Sequence, residues 1–249
     1  MTTRKNALVT GANKGIGLET ARRLAALGFK VWLGARDAKR GQAAAETLRG
    51  EGFDVEWLEL DVTSDESVAA AAKTVAAQTA GLDVLVNNAG VAPGYVDALG
   101  PDGRYERPPS REIVADIKAT YDVNVFGPVR VTQAFLPLLL ASGAARIVML
   151  SSYLGSIACA AGDSRSPNVM GYGSSKTALN AITVAFAREL APRGIMVNAA
   201  APGYTATDLN GHKGHRTVQQ AAEIVVRLAT LDAGGPTSGY FDENGPLPW

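Results

Sequence analysis

The sequence predicts an α/β fold: one domain built on a doubly wound parallel sheet of about seven strands, with helices on both faces. Three observations carry this. Short apolar runs alternate with longer stretches of helical period along the chain. A glycine-rich turn joins the first strand to the first helix. No repeat, low-complexity linker or composition break divides the 249 residues, and 47% of them are hydrophobic, enough for one large core.

Residues 7–10, Ala-Leu-Val-Thr, read as a buried strand. Thr10, Gly11, Ala12, Asn13, Lys14, Gly15, Ile16 and Gly17 follow, then a helical pattern through Leu18, Ala21, Leu24, Ala25 and Leu27 that stops at Gly28. Gly11 permits a tight turn. Gly15 and Gly17 leave room for a pyrophosphate to approach backbone and for the helix to pack on its strand, the Rossmann arrangement. The helix N-terminus offers free N–H groups and a positive dipole end to phosphate. Residues 30–35 are the second strand. In a dinucleotide fold its end lies at the adenosine ribose, where an acid would hold a free 2′-hydroxyl. Here Ala35 and then Arg36 stand at that end. A guanidinium suits a 2′-phosphate, and Lys14 offers a second cation, so NADP(H) is expected over NAD(H). Asp37 is the counter-signal and is read as the N-cap of a helix through Leu48.

Residues 53–60 form the third strand. Asp61 is placed to accept from an adenine amino group, and Val62 to pack on the ring. Thr63 or Ser64 caps an alanine-rich helix through Gln78. Residues 82–87 form the fourth strand, ending in Asn87, Asn88, Ala89 and Gly90. The small residues let backbone approach a ligand; the amides either brace neighbouring strands or touch the ligand. Pro93, Gly94, Gly100, Pro101, Gly103, Pro108 and Pro109 make 91–109 a long loop, a lid or a partner surface. Helical pattern resumes at Ser110 and runs past Asn124 to Leu140, with Gly127 and Pro128 marking a distortion. Asn124 either satisfies backbone at that distortion or orients a water near Lys176.

Residues 145–150 form the fifth strand, ending in Ser151 and Ser152, and 153–170 a loop rich in Gly, Ala and Ser. Tyr172 and Lys176 follow, four residues apart, on one helical face one turn apart. A free tyrosine has a pKa of about 10; a lysine cation beside it favours the phenolate and draws that value down. A plain solvated helix face gives the same spacing, so the pair gains weight only from the rest of the chain. Residues 194–201 form the sixth strand, followed by Pro202, Gly203, Tyr204, Thr205, Ala206 and Thr207. A helix over 217–231 and a short strand at Tyr240 and Phe241 complete the pattern.

Twenty-four basic residues balance 24 acidic ones, which argues against nucleic acid as a partner. No apolar run reaches the length of a membrane span, and the N-terminus enters a strand rather than a signal-peptide core. Cys159 is the one cysteine, so no intrachain disulfide forms, which suits the cytoplasm. His212 and His215 have no cysteine or acid cluster with them and are read as surface residues; no metal is expected. Tyr95, Tyr153, Met170, Tyr204 and Leu209 are candidates for an apolar substrate pocket, with plain packing the alternative for each.

The glycine loop at 10–17, Asn87 to Gly90, Asn124, Ser152, the Tyr172–Lys176 pair and Pro202–Gly203 occur in an order that strongly resembles the short-chain dehydrogenase/reductase superfamily. The resemblance covers nearly the whole chain. Within it, residues 35–42 and 202–209 look like the carbonyl-reductase-like branch, which generally uses NADPH. It implies a single domain over 1–249, with a cofactor-binding part at 1–150 and an active-site and substrate-binding part at 151–249. Tyr172 then resembles the general acid, and Lys176 the residue that lowers its pKa and holds the nicotinamide ribose. Ser152 resembles the donor that positions the substrate oxygen, and Asn124 the holder of a water linking Lys176 to solvent. Thr205 and Thr207 match positions near the cofactor carboxamide and phosphate. Gly11, Asn13, Lys14, Gly15, Ile16, Gly17, Arg36, Asp61, Val62, Asn88, Ala89, Gly90, Pro202 and Gly203 complete the implied cofactor set. The expected activity is NADPH-dependent reduction of small ketones or aldehydes. Oxidation of a secondary alcohol and non-catalytic cofactor sensing are the alternatives. The loops 91–109 and 153–170 are longer than in common members. They leave substrate size open, and with it the choice between monomer, dimer and tetramer.

Overall fold

The computed structural model describes residues 4–101, 103–162 and 167–249. Its sheet has the order β3-β2-β1-β4-β5-β6-β7-β8. The strands are β1 (Asn6–Thr10), β2 (Lys30–Ala35), β3 (Val55–Glu59), β4 (Val84–Asn87), β5 (Arg146–Leu150), β6 (Met196–Ala200), β7 (Tyr240–Asp242) and β8 (Gly245–Pro246). All neighbours pair in parallel except β7 and β8. The eighth strand exceeds the expected number. It is two residues long and holds a proline, too short for any period to betray it and tolerable only at an edge.

Alternation along each strand splits the core in two. Ala7, Val9, Val84, Val86 and Val148 face one side, with α1 (Gly15–Ala26), α2 (Ala38–Gly50) and α8 (Val218–Ala229) packed there through Leu24, Leu48 and Val225. Leu8, Leu85, Ile147 and Met149 face the other, covered by α3 (Asp65–Ala76), α5 (Gly127–Ser142) and α7 (Met170–Leu190) through Val75, Phe135 and Leu179. Covering both faces is why the inner strands are apolar throughout. Strand order reverses between β1 and β4, which opens a crevice beyond their carboxyl ends.

Several boundaries follow local chemistry. Asp37 caps α2 by accepting from the Arg40 N–H at 2.9 Å, and Ser64 caps α3 through the Ser67 N–H at 3.2 Å. Thr217 and Gln220 form a capping box on α8. The helix expected from Ser110 instead begins at Val114, as α4 (Val114–Tyr121), after a separate 3-10 turn at Pro109–Arg111. It passes through a π-helical stretch, Asp122–Phe126, into α5. The resulting Val114–Ser142 run is long and apolar enough by length and composition to cross a membrane, contrary to the expectation from sequence. Val131, Phe135 and Leu139 on it are buried against the sheet, and Arg130 pairs with Asp65 and Asp122 at 2.8 Å. Its apolar face is therefore filled by this fold.

The two expected loops are partly ordered into short elements. Loop 91–109 holds a 3-10 turn, Val96–Ala98, and a bridge between Leu99 and Tyr105. Loop 153–170 holds a 3-10 turn, Tyr153–Gly155, and a short helix α6 (Ile157–Gly162). Residue 102 of the first loop, 163–166 of the second and the N-terminal 1–3 lie outside the described residues.

Candidate active site

Above the carboxyl ends of the strands lies a cleft of about 1880 Å³, larger than most single-ligand pockets and roomy enough for a dinucleotide with a second molecule beside it. The glycine turn forms its floor. Gly11 has φ +62°, and a Cβ there would lie 2.9 Å from Ala89 Cα; one on Gly17 would lie 2.4 Å from Asn88 Nδ2. The close approach demands glycine at both. Of the two uses open to the Asn88 amide, bracing is the one observed. It donates to the Thr10 carbonyl at 2.8 Å and the Gly11 carbonyl at 3.1 Å. Asn87 is turned into the core, toward Thr132 Oγ1 at 3.2 Å. α1 carries no side-chain cap, so no protein oxygen competes for its first N–H groups.

Gly11, Asn13, Lys14, Gly15, Ile16, Gly17, Arg36, Asp61, Val62, Asn88, Ala89, Gly90, Pro202, Gly203, Thr205 and Thr207 all line this cleft. Burial works to raise the Asp61 carboxyl. Hydrogen bonds from the Thr63 N–H and hydroxyl, with the charges of Arg36 and Arg130, outweigh it and hold the group below the usual range. Lys14, the expected second cation, also lines the cleft. Lys14 is engaged by Asp208, which also takes His212 Nε2 at 2.8 Å. Arg40 lines the cleft with Arg36, its guanidinium 3.6 Å from Asp37. The sequence held a sign of this, since Arg40 stands four residues after Arg36 at the opening of a capped helix. With the glycine cradle and two arginines at the end of β2, the residues present fit a 2′-phosphorylated dinucleotide.

The four predicted catalytic residues converge at the inner end of the cleft. Tyr172 lies in the first turn of α7 and Lys176 one turn on. Ser152, just past β5, lines the same cleft, near enough to Tyr172 to favour its charged form. A Cβ on Gly90 would lie 3.5 Å from Asn124 Oδ1 and 3.6 Å from Lys176 Nζ, so these two flank Gly90, while Ser152, Tyr172 and Lys176 line the cleft. Asn124 is fully buried in the π-helical stretch. Its Oδ1 accepts from the Val91 N–H at 2.9 Å, and its Nδ2 donates to the Val91 carbonyl at 2.9 Å and to Ser175 Oγ at 3.1 Å. From the helix distortion it thus satisfies the backbone of Val91, in the loop that follows β4. Ser175, which the sequence offers as a helix-packing or ribose-side residue, links it to the Tyr172 carbonyl at 2.7 Å.

The electrostatics of the pair differ from the expectation. Burial pushes the Tyr172 phenol up to about 12, with nearby Ser152 opposing it. Burial pushes the Lys176 ammonium down to about 8. Lys176 Nζ donates to the Leu150 carbonyl at 2.7 Å and stands 5.5 Å from the centre of the Tyr172 ring. In the protein alone, desolvation of both groups exceeds their mutual attraction. The phenol is therefore held in its protonated form.

Aromatic side chains roof this end. The Tyr95 and Tyr105 rings stack at 5.3 Å, and Tyr204 lines the cleft with them. Burial first, then nearby Tyr204, raises the Tyr95 phenol above its ordinary range. Tyr153, Tyr204 and Leu209 line the cleft as expected, joined by Val96 and Leu154. Met170 does not line it; it opens α7 and is exposed.

A family model described as short chain dehydrogenase matches residues 5–217. Short-chain dehydrogenase/reductase 1 of Saponaria officinalis is 34% identical, over 99% of this chain and 96% of that protein. The (-)-isopiperitenone reductase of Mentha piperita is 33% identical, over 97% of each. The crystal structure of NADPH-bound carbonyl reductase from chicken fatty liver superposes with a TM-score of 0.83 at 28% identity, covering all of both chains.

Proposed function

This chain belongs to the short-chain dehydrogenase family, and on that premise we propose that it reduces a small ketone or aldehyde to an alcohol with NADPH. The observation that carries the reading is the placement of Ser152, Tyr172 and Lys176 on the lining of one cleft, with Lys176 Nζ 5.5 Å from the Tyr172 ring centre and Arg36 and Arg40 lining the same cleft. A relative of similar length and fold binds NADPH, which supports the choice of cofactor.

Bound NADPH supplies the hydride. Ser152 donates to the carbonyl oxygen and fixes its direction. Tyr172 gives that oxygen a proton as negative charge gathers on it. An alkoxide is a stronger base than a phenolate, so a phenol pushed up to about 12 still transfers downhill. In the oxidative direction the same group would act as phenolate, and the cofactor's redox poise, not this residue, sets which direction runs. Lys176 holds the Leu150 carbonyl and presents its charge to the cofactor ribose. Asn124 ties Val91 to the helix bearing Tyr172.

The test is NADPH oxidation against a panel of aryl, aliphatic and cyclic ketones. Absence of turnover on every carbonyl, with NADPH still bound, would replace this reading with cofactor sensing.

A pH dependence follows. With Lys176 at about 8, its charged form is present below that value and lost as pH rises through it. The value of kcat/KM for NADPH reports the free enzyme. It should be level at lower pH and fall about tenfold per unit above pH 8. Tyr172 stays protonated across the range. Lys176→Arg, which does not deprotonate, should flatten that alkaline limb. A limb unchanged in the arginine variant would assign the titration elsewhere.

A further inference from the structure

We propose that Tyr240, on the strand next to the far edge of the sheet, is a positioning residue that sets Ser152 against Tyr172. The inference rests on the roles given to those two residues above. Tyr240 is buried on β7, and its hydroxyl donates to the Ser152 carbonyl, across 88 residues of sequence. Ser151 and Asn180 lie close to the same hydroxyl. Asn180 lies on α7 one turn beyond Lys176. Its Oδ1 takes the Ser151 hydroxyl at 2.6 Å, and its Nδ2 donates to the Gly155 carbonyl at 3.1 Å. Tyr240 therefore holds the loop carrying Ser152 where Ser151 and Gly155, through Asn180, join that loop to the helix carrying Tyr172.

The chain beyond β7 reinforces that hold. Leu247 N–H donates to the Tyr240 carbonyl at 2.7 Å, and the Trp249 ring stacks on Tyr240 at 5.4 Å with the planes 16° apart. Ser156 Oγ donates to the Pro248 carbonyl at 2.7 Å, and Ala158 N–H to the Trp249 carbonyl at 3.2 Å. The last residues thus clasp 152–158 from behind, on the side away from the cleft. Ser152 Oγ must meet both a substrate oxygen and the Tyr172 hydroxyl, and small errors of placement cost rate steeply. None of these groups touches the reacting atoms, so their effect passes through Ser152.

The experiment is kinetic. Tyr240→Phe keeps the ring and its stack and removes the hydroxyl; the Ser152 carbonyl keeps the Gly155 N–H at 2.8 Å, so the loop retains one tie. The expected result is a loss of about tenfold in kcat with KM for NADPH unchanged. In a Ser152→Ala background the same substitution should change kcat by less than about twofold. Trp249→Ala, at an exposed edge, should give a smaller loss with the same dependence on Ser152. An unchanged kcat in Tyr240→Phe, or an equal fold loss with and without Ser152, overturns the proposal. Should Tyr240→Phe fail to fold, Trp249→Ala decides alone, and an unaltered kcat there overturns it. If Ser152→Ala itself keeps parental turnover, the role of Ser152 has failed instead. A crystal structure of Tyr240→Phe then decides: Ser152 Oγ still beside the Tyr172 hydroxyl refutes positioning, and its displacement supports it.

Discussion

Tyr172→Phe should lower kcat/KM for carbonyl reduction by about 10²–10⁴-fold, the range that a placed general acid contributes, and leave NADPH affinity within twofold of the parent. The substitution keeps the ring in the first turn of α7 and removes only the hydroxyl. The glycine cradle and the β2 arginines stay in place, so cofactor binding is untouched. What is lost is a protonated phenol at the oxygen where charge develops; water in its place is neither fixed nor desolvated. The measurement is steady-state turnover on the best ketone of the panel, with NADPH binding followed by fluorescence. A phenylalanine variant within threefold of the parent would remove the proposed acid. A variant that also lost NADPH affinity would point to a structural role for the hydroxyl.

The parts of this site that the sequence revealed are those built by local rules. A glycine turn between a strand and a helix, Asp37 and Ser64 at helix starts, and a Tyr-x-x-x-Lys pair are all read within a few residues. Burial at both faces of a parallel sheet writes continuous apolar runs, so the order of strands and helices was legible too. The groups that escaped depend on distance in sequence or on the sum of opposing energies. Tyr240 gave only a short terminal strand; its tie to Ser152 exists because β7 pairs beside β6. The six residues of α6 are too few to display a period amid small residues. The Tyr172–Lys176 pair is the clearest case. Spacing showed that the two share a face, but the sign of the phenol's shift depends on whether desolvation or charge attraction is larger. Burial decides that, and no local pattern reports it. Lys14 likewise read as a free cation, because its partner Asp208 lies 194 residues away.

Removing the arginine wall at the end of β2 should bring the preference for NADPH over NADH down by about tenfold to a hundredfold for Arg36→Ala. Two or three charge-assisted hydrogen bonds of about 1.5–3 kcal/mol stand at that position when a 2′-phosphate is bound, and exposure of Arg36 places the effect toward the lower end. Arg40→Ala should act in the same direction and less than additively with Arg36→Ala, because both cations would serve one phosphate. The double variant leaves Asp37, whose carboxylate caps α2 and lies 3.6 Å from the Arg40 guanidinium in the parent. Freed from that cation, it repels a 2′-phosphate and accepts from a 2′-hydroxyl, so NADH efficiency should hold or rise while NADPH efficiency falls. The parent's preference should also shrink as salt rises, since the wall is exposed and screened; the double variant should show little salt dependence. The ratio of kcat/KM for the two cofactors, at low and high ionic strength, checks each point. A ratio that moves less than twofold in Arg36→Ala would mean that the 2′-phosphate is held elsewhere. Lys14 would then be the group to test, because releasing Asp208 is all that it needs to turn toward the same phosphate.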